Sequence, residues 1–333
     1  MNNIKLNVGA WKYFHTEALL DGTVKIEGVD ASFESGKIIS DIFERMVRDK
    51  AYDVAELGLT FYLRMLEQGD TSFIALPIFP NRQFRHSAIF INTASGIEKP
   101  EDLAGKTIGE FGLYGHDAGV WPKGILSDDF GVKPEQSRWI IGASDWYMPP
   151  FDFVPQPHPD DVDVRPVPKG KALGTMLENG EIDAFISAHA PTCIVNGSPK
   201  VARLFPDYES VERDYYQRTG IFPIMHTVVI RKDLLEKHLD LAQAVYRAFC
   251  ESKDIAMEKY RTQTVRQNME AMMPWFTPLF EKNRQLMGDD WWPYGIEANR
   301  KTLDTFLRYF YEQGLSKHLW TCEEIFVPEL FRT

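Results

Sequence analysis

Residues 99–111 read Lys-Pro-Glu-Asp-Leu-Ala-Gly-Lys-Thr-Ile-Gly-Glu-Phe. A proline just inside a short acidic run that closes on Gly105 predicts one helical turn, and 106–111 then predicts a strand. Upstream, Ile4, Leu6 and Val8 alternate with Lys5 and Asn7, the two-residue period of a half-buried strand. Val24 and Ile26 repeat that pattern after a turn at Asp21-Gly22. Ile38, Ile39, Ile42, Phe43, Met46 and Val47 follow helical spacing. Strands are then expected over 52–59, 73–76 and 87–92, with a helix over 61–68. Downstream come a helix over 123–129, a strand over 137–142, and a loop over 146–161 dense in proline. A strand at 162–167, a helix at 171–179 and a buried strand at 182–187 complete this unit, and 227–230 reads as a strand returning to the first one. Leu241, Val245, Phe249 and Ala256, and later Leu303, Phe306, Leu307 and Phe310, mark amphipathic helices. The expectation is an α/β protein of two lobes with a helical C-terminal region. Lobe one would be discontinuous (1–92 and 222–333), with lobe two (93–221) inserted. The cleft at the double crossing is the expected ligand site.

The chain has 333 residues, with 37 Lys plus Arg against 48 Asp plus Glu, a formal net charge of −11. Such a balance disfavours nucleic acid and anionic membranes as partners. An anionic small molecule would need a local cationic pocket. The cysteines at 193, 250 and 322 are too scattered for a zinc ribbon or disulfide framework. No run approaches 18 apolar residues, and the first ten residues lack the apolar stretch of a secretory signal, so a cytoplasmic protein is expected. His158, Asp160, Asp161 and Asp163 crowd one loop but lack the spacing of a known metal motif, and read as a solvated acidic loop. No metal site is expected. A homo-oligomeric assembly is left open.

Two segments, 101–109 (EDLAGKTIG) and 180–184 (GEIDA), together with the lobe order, resemble the type II periplasmic-binding-protein fold. More specifically, 10–22 (AWKYFHTEALLDG), 56–59 (ELGL), 84–89 (FRHSAI) and 294–315 (YGIEANRKTLDTFLRYFYEQGL) resemble the 4,5-dihydroxyphthalate decarboxylase family. That resemblance implies loss of one carboxyl group from an aromatic dicarboxylate, giving protocatechuate and CO2, with no organic cofactor. A non-catalytic binding protein or sensor for an aromatic carboxylate is the alternative. A third reading is an enzyme of the same fold, similar to those of menaquinone synthesis, acting on a nucleoside-derived carboxylate.

Each carboxyl group of 4,5-dihydroxyphthalate has a hydroxyl para to it. Decarboxylation then needs a proton donor at the ring carbon, a partner for the phenol and cations for the retained carboxylate. Arg82, Arg85 and His86 form the best cationic cluster, which otherwise reads as an interlobe ion pair. His189 follows the buried strand 182–187, where strand ends face a crevice, and is the expected ring-protonating acid. The bland reading is a hydrogen-bonded hinge histidine. Tyr114, His116 and Asp117 precede a helix, with Asp117 expected to orient His116 or merely to cap. Pro122 suggests that this helix starts beyond Trp121. Trp11, Lys12 and His15 follow the first strand, and His226 lies at the second crossing. The run Trp291-Trp292-Pro293-Tyr294 reads as an anchor for the C-terminal helices or as a pocket wall.

Overall fold

A computed structural model describes residues 3–266, 269 and 272–333. Two sheets organise the chain. The first has the order β2-β1-β3-β11-β4, from strands Ile4–Gly9 (β1), Val29–Glu34 (β2), Val54–Gly58 (β3), Phe73–Leu76 (β4) and His226–Arg231 (β11). Strands β1, β2 and β3 are parallel, and β11 runs antiparallel between β3 and β4. The second sheet has the order β10-β5-β9-β6-β7-β8. Its strands are Ile89–Asn92 (β5), Thr107–Phe111 (β6), Arg138–Gly142 (β7), Asp163–Pro166 (β8), Ala184–Ile186 (β9) and Val201–Arg203 (β10).

Several expectations shift. Val24 and Ile26 are buried, as the alternation implied, but the strand itself begins only at Val29. The segment Ile89–Asn92 pairs with β9 and β10 in the second sheet, so the chain changes sheets before residue 89 and not after 92. The helix expected from residue 123 spans Asp117–Phe130, with Pro122 inside it. Proline there forfeits one backbone hydrogen bond, and tertiary burial of almost the whole helix offsets the loss. The loop 146–161 carries no helix or strand.

The two crossings, between β4 and β5 and between β10 and β11, lie side by side. Arg82 and Ile224 form an antiparallel bridge, Gln83 N–H donates to the Pro223 carbonyl at 3.1 Å, and Met225 N–H donates to that of Asn81 at 2.9 Å. Buried contacts bolt the sheets together further. Arg64, on the helix Leu59–Glu67, donates to the carbonyls of Tyr114 (2.8 Å) and Pro155 (2.9 Å). Trp121 Nε1 donates to the Ile224 carbonyl, and Gln313 Nε2 to that of Val120. Among the described residues no helix is long and apolar enough to cross a membrane.

Candidate active site

Between the sheets lies a cavity of about 360 Å³, lined by residues of both. From the first sheet come Trp11 and Tyr13 after β1, the start of the helix Ile39–Asp49, and His226 at the head of β11. From the second come Phe111 at the end of β6, His116–Ala118 at the start of the helix Asp117–Phe130, and Ala188 and His189 after β9. Arg85 enters from the first crossing, and Trp146, Met148 and Phe151 from the loop 146–161. Strand ends and helix starts meet here because parallel β–loop–α units place them on the same edge. Two helix N-termini therefore face the wall, a favourable setting for anions.

The hydrogen bonds give these groups distinct states. Glu56, on β3, is 1% exposed. Its Oε1 accepts from Tyr13 O–H at 2.7 Å and lies 2.6 Å from His226 Nδ1, while its Oε2 accepts from Trp11 N–H at 3.0 Å. The carboxylate assigns the Nδ1 proton of His226, which turns Nε2 into the working nitrogen. Burial first, and the Glu56 charge second, push the Tyr13 phenol well above its ordinary pKa. Tyr13 therefore stays a hydrogen-bond donor.

Asp117 is fully buried. Its Oδ1 accepts from Thr60 N–H at 2.7 Å, whereas Oδ2 has no hydrogen-bond partner. Burial raises its pKa, against the lowering effect of His226 and of the Thr60 hydrogen bond. His116 caps its helix, its Nδ1 accepting from Ala118 N–H at 3.1 Å. The neutral ring then carries its proton on Nε2. Burial, followed by the charges of His226, Arg85 and His189, holds it well below the ordinary histidine range. Asp117 thus neither caps its own helix nor hydrogen-bonds His116. Instead it reaches across to the helix Leu59–Glu67.

Arg85 is 3% exposed. Its Nε contacts Met225 Sδ at 3.3 Å, Nη1 has no partner, and burial lowers its pKa to about 10. Arg85 lines the cavity, and a guanidinium so placed is suited to a carboxylate. His189 is exposed at the cavity, its pKa lowered by partial burial and then by Arg85. Its ring and that of His116 both stand edge-on to Phe111. Among the described residues no group of three or more His, Cys, Asp or Glu side chains is arranged to hold a metal ion.

Trp11, Arg85, His116, Asp117, His189 and His226 are thus brought together. The other candidates are placed elsewhere. Arg82 is buried against Asn299 Oδ1 and the Pro293 and Phe222 carbonyls, fastening the C-terminal segment to the crossing. His86 packs edge-on between Phe205 and Tyr215. Tyr114 lies under the Lys123 ammonium, 3.8 Å from its ring centroid. Lys12 and His15 line a second cavity. Sequence reasoning missed Glu56 and Tyr13. The available signal was an acid in the wholly buried strand Val54–Gly58, since a carboxylate so placed requires partners.

No family model matches the chain. Among curated proteins it is 34% identical over 330 residues to a 4,5-dihydroxyphthalate decarboxylase of Comamonas testosteroni, covering 98% of each chain. It is 36% identical over 217 residues to one from Pseudomonas putida, covering 65% of this chain and 83% of that one. Among solved structures it is similar to the periplasmic aliphatic sulphonate binding protein SsuA of Escherichia coli, with TM-score 0.56, 13% identity and 99% of both chains covered. The alkanesulfonate-binding SsuA of Xanthomonas axonopodis pv. citri gives TM-score 0.55 and 10% identity, covering 98% of this chain and 99% of that one. Identities this low give the fold alone: the type II periplasmic-binding-protein fold with two lobes.

Proposed function

Because the chain belongs to the 4,5-dihydroxyphthalate decarboxylase family, we propose that it converts 4,5-dihydroxyphthalate to protocatechuate and CO2 in the interlobe cavity. One observation carries this reading. A histidine held by a buried carboxylate, a buried carboxyl with a raised pKa and a guanidinium with an unspent nitrogen share one aromatic-walled cavity.

In this scheme Arg85 holds the retained carboxylate, and the amides at the start of the helix Ile39–Asp49, with Lys37, add positive potential. Trp11, Phe111 and Phe151 flank the ring. His226 Nε2 takes the proton of the hydroxyl para to the departing carboxylate, and Glu56 stabilises the imidazolium that forms. Electron density moves to the carbon bearing that carboxylate, which takes a proton from Asp117. The C–C bond to the carboxylate then breaks and its electron pair restores the aromatic ring. CO2 leaves, the phenolate recovers its proton from His226, and solvent reprotonates Asp117. The ring is the electron sink throughout.

We assign proton delivery to Asp117 in preference to His189 on electrostatic grounds. Burial shifts the Asp117 carboxyl toward its protonated form, whereas burial and the Arg85 charge shift His189 toward its neutral form. His189 then serves as a hydrogen-bonding group at the cavity mouth, and His116 donates through Nε2 to the bound anion.

The test is incubation of purified protein with 4,5-dihydroxyphthalate in D2O, following CO2, protocatechuate and deuterium at the vacated ring carbon. Turnover with one deuterium there, abolished in Asp117→Asn with binding retained, is the expected result. Tight binding without CO2 release overturns the reading in favour of a binding protein.

A further inference from the structure

A second cavity, of about 500 Å³, opens against the opposite part of the β1 exit loop, where Trp291 and Trp292 meet the long helix Leu241–Val265. Its size is in the range of small-molecule sites, and nothing in the decarboxylation scheme uses it.

The walls are largely aromatic: Tyr13, Phe14, Tyr260, Trp291 and Trp292. Several are fixed by their own contacts. Trp292 Nε1 donates to the Phe79 carbonyl at 2.9 Å, and Trp291 stands edge-on to Phe280. Phe14, by contrast, is 77% exposed, an uncovered aromatic ring at a cavity rim. Lys12 lines the same cavity and makes no hydrogen bond or ion pair among the described residues. Lys253 is buried there with its ammonium 2.6 Å from Asp290 and 3.2 Å from Asp254, so its charge is already matched. Glu17 also lines the wall and lies 3.5 Å from Lys259. His15 is driven to a pKa of about 4, chiefly by burial, and is neutral near pH 7. The ammonium on this wall without a direct hydrogen-bonded or ion-paired partner among the described residues is that of Lys12, which acts on Asp21 only at longer range, beside aromatic surfaces suited to a flat ring system.

The two cavities share Tyr13. Trp292 lies 5.2 Å from His15, and His15 stacks on Tyr13 at 5.0 Å with only 9° between the planes. Tyr13 in turn donates to the carboxylate that holds His226. A molecule wedged among these rings bears directly on the residue that positions Glu56.

We propose that this cavity is a regulatory site for an aromatic monocarboxylate, whose occupancy alters turnover in the interlobe cavity through the Trp292–His15–Tyr13 column. The binding claim stands independently of the decarboxylase reading. The effect on rate rests on it.

The probe is 2-naphthoate, which has fused rings, one carboxylate and no hydroxyl to be processed. Calorimetry on the full chain is expected to show a naphthoate site that survives Arg85→Met, weakens about tenfold or more in Lys12→Glu and is lost in Trp291→Ala. Lys12 is exposed, so its variant folds even where removal of Trp291 proves disruptive. Steady-state kinetics on the wild type are expected to show naphthoate changing kcat at saturating substrate. Lys12→Glu should lose that change, and Tyr13→Phe should bind the probe without transmitting it. Unchanged affinity in both Lys12→Glu and Trp291→Ala, or purely competitive inhibition in the wild type, overturns the proposal. If no turnover is found with any protein but the Lys12-dependent site is present, the second site stands and the decarboxylase reading falls.

Discussion

Glu56→Gln isolates the part of the site on which the base depends. The glutamate is nearly inaccessible, and three donors point at it: Tyr13 O–H at 2.7 Å, His226 Nδ1 at 2.6 Å and Trp11 N–H at 3.0 Å. Glutamine keeps the volume but offers one acceptor oxygen and an NH2 group. With the oxygen placed toward Tyr13 and His226, the NH2 faces Trp11 N–H, donor against donor. With the opposite flip, His226 loses its acceptor and the tautomer that frees Nε2. A hydrogen bond to a charged group contributes ~1.5–3 kcal/mol, and the uncharged amide forfeits it just as the imidazolium forms. At 1.36 kcal/mol per factor of ten, kcat falls by ~10- to 150-fold. The donor clash costs a further ~1–3 kcal/mol of stability, seen as a drop in Tm. Arg85 and the aromatic walls are untouched, so KM stays within about threefold. The assay is initial-rate formation of protocatechuate over a substrate series, with calorimetric binding and a thermal melt on the same preparation. A lowered Tm with undiminished kcat would refute the argument, because Glu56 would then be a structural acid and His226 would need no orienting partner. Loss confined to KM would refute it equally.

Arg85→Met removes a buried guanidinium whose Nη1 is unsatisfied, so the ligand-free protein should melt no earlier, while calorimetric substrate affinity falls by ~10- to 150-fold. Unaltered affinity would mean that the carboxylate is held elsewhere. Gly58→Ala places a Cβ 2.3 Å from Asp117 Oδ2 and 2.6 Å from Phe61 Cδ2, and should cost ~1–3 kcal/mol of stability together with most of the turnover. A melt and a rate both equal to wild type would show that Asp117 does not need this close approach. His86 is 3% exposed, its ring Nδ1 lacks a partner, and burial lowers its pKa to about 4. The native state thus binds fewer protons than the unfolded one, so this stability contribution is complete above about pH 6.5 and is lost as pH falls toward 4, by ~3 kcal/mol. Denaturation at stepped pH should show that decline in the wild type and a shallower one in His86→Phe.

The parts of the fold legible in the sequence were those with a period. Leu6 and Val8 on one strand, and Ile42, Phe43 and Met46 on one helix, announce a buried face that the structure buries, whereas Ile38, read into the same face, precedes the helix and is 48% exposed. Ile89–Asn92 is buried on both faces, and a run without alternation says strand but not which sheet. Pro122 misplaced a helix start because a local rule cannot anticipate the burial that tolerates it. The site was legible only as a neighbourhood. Strand ends pointed to the right loops, but the turn after β1, closed by Thr16 Oγ1 on the Trp11 carbonyl at 2.8 Å, sends Trp11 toward one cavity, Lys12 and His15 toward another, and leaves Tyr13 between them. Nothing in the order of those residues fixes that division.

The net charge of −11 is also reconciled with an anionic substrate by where the charges lie. The acids are overwhelmingly at the surface, where water screens them, whereas the Arg85 guanidinium sits in a buried cleft with Asp117 and Glu56. Holding such groups together is costly, as the unpartnered Asp117 Oδ2 and Arg85 Nη1 show. In a binding protein of this fold the lobes hinge open, and water would relieve that cost. Here Arg64 against Tyr114 and Pro155, Trp121 against Ile224 and Gln313 against Val120 tie the lobes through buried hydrogen bonds. Asp117 itself is one of the cross-lobe ties, through Thr60. Opening the cleft would break that contact and admit water to a carboxyl whose pKa burial raises. In the proposed scheme these ties hold Asp117, His226 and Arg85 in one relation, which is what proton transfer to a ring carbon demands.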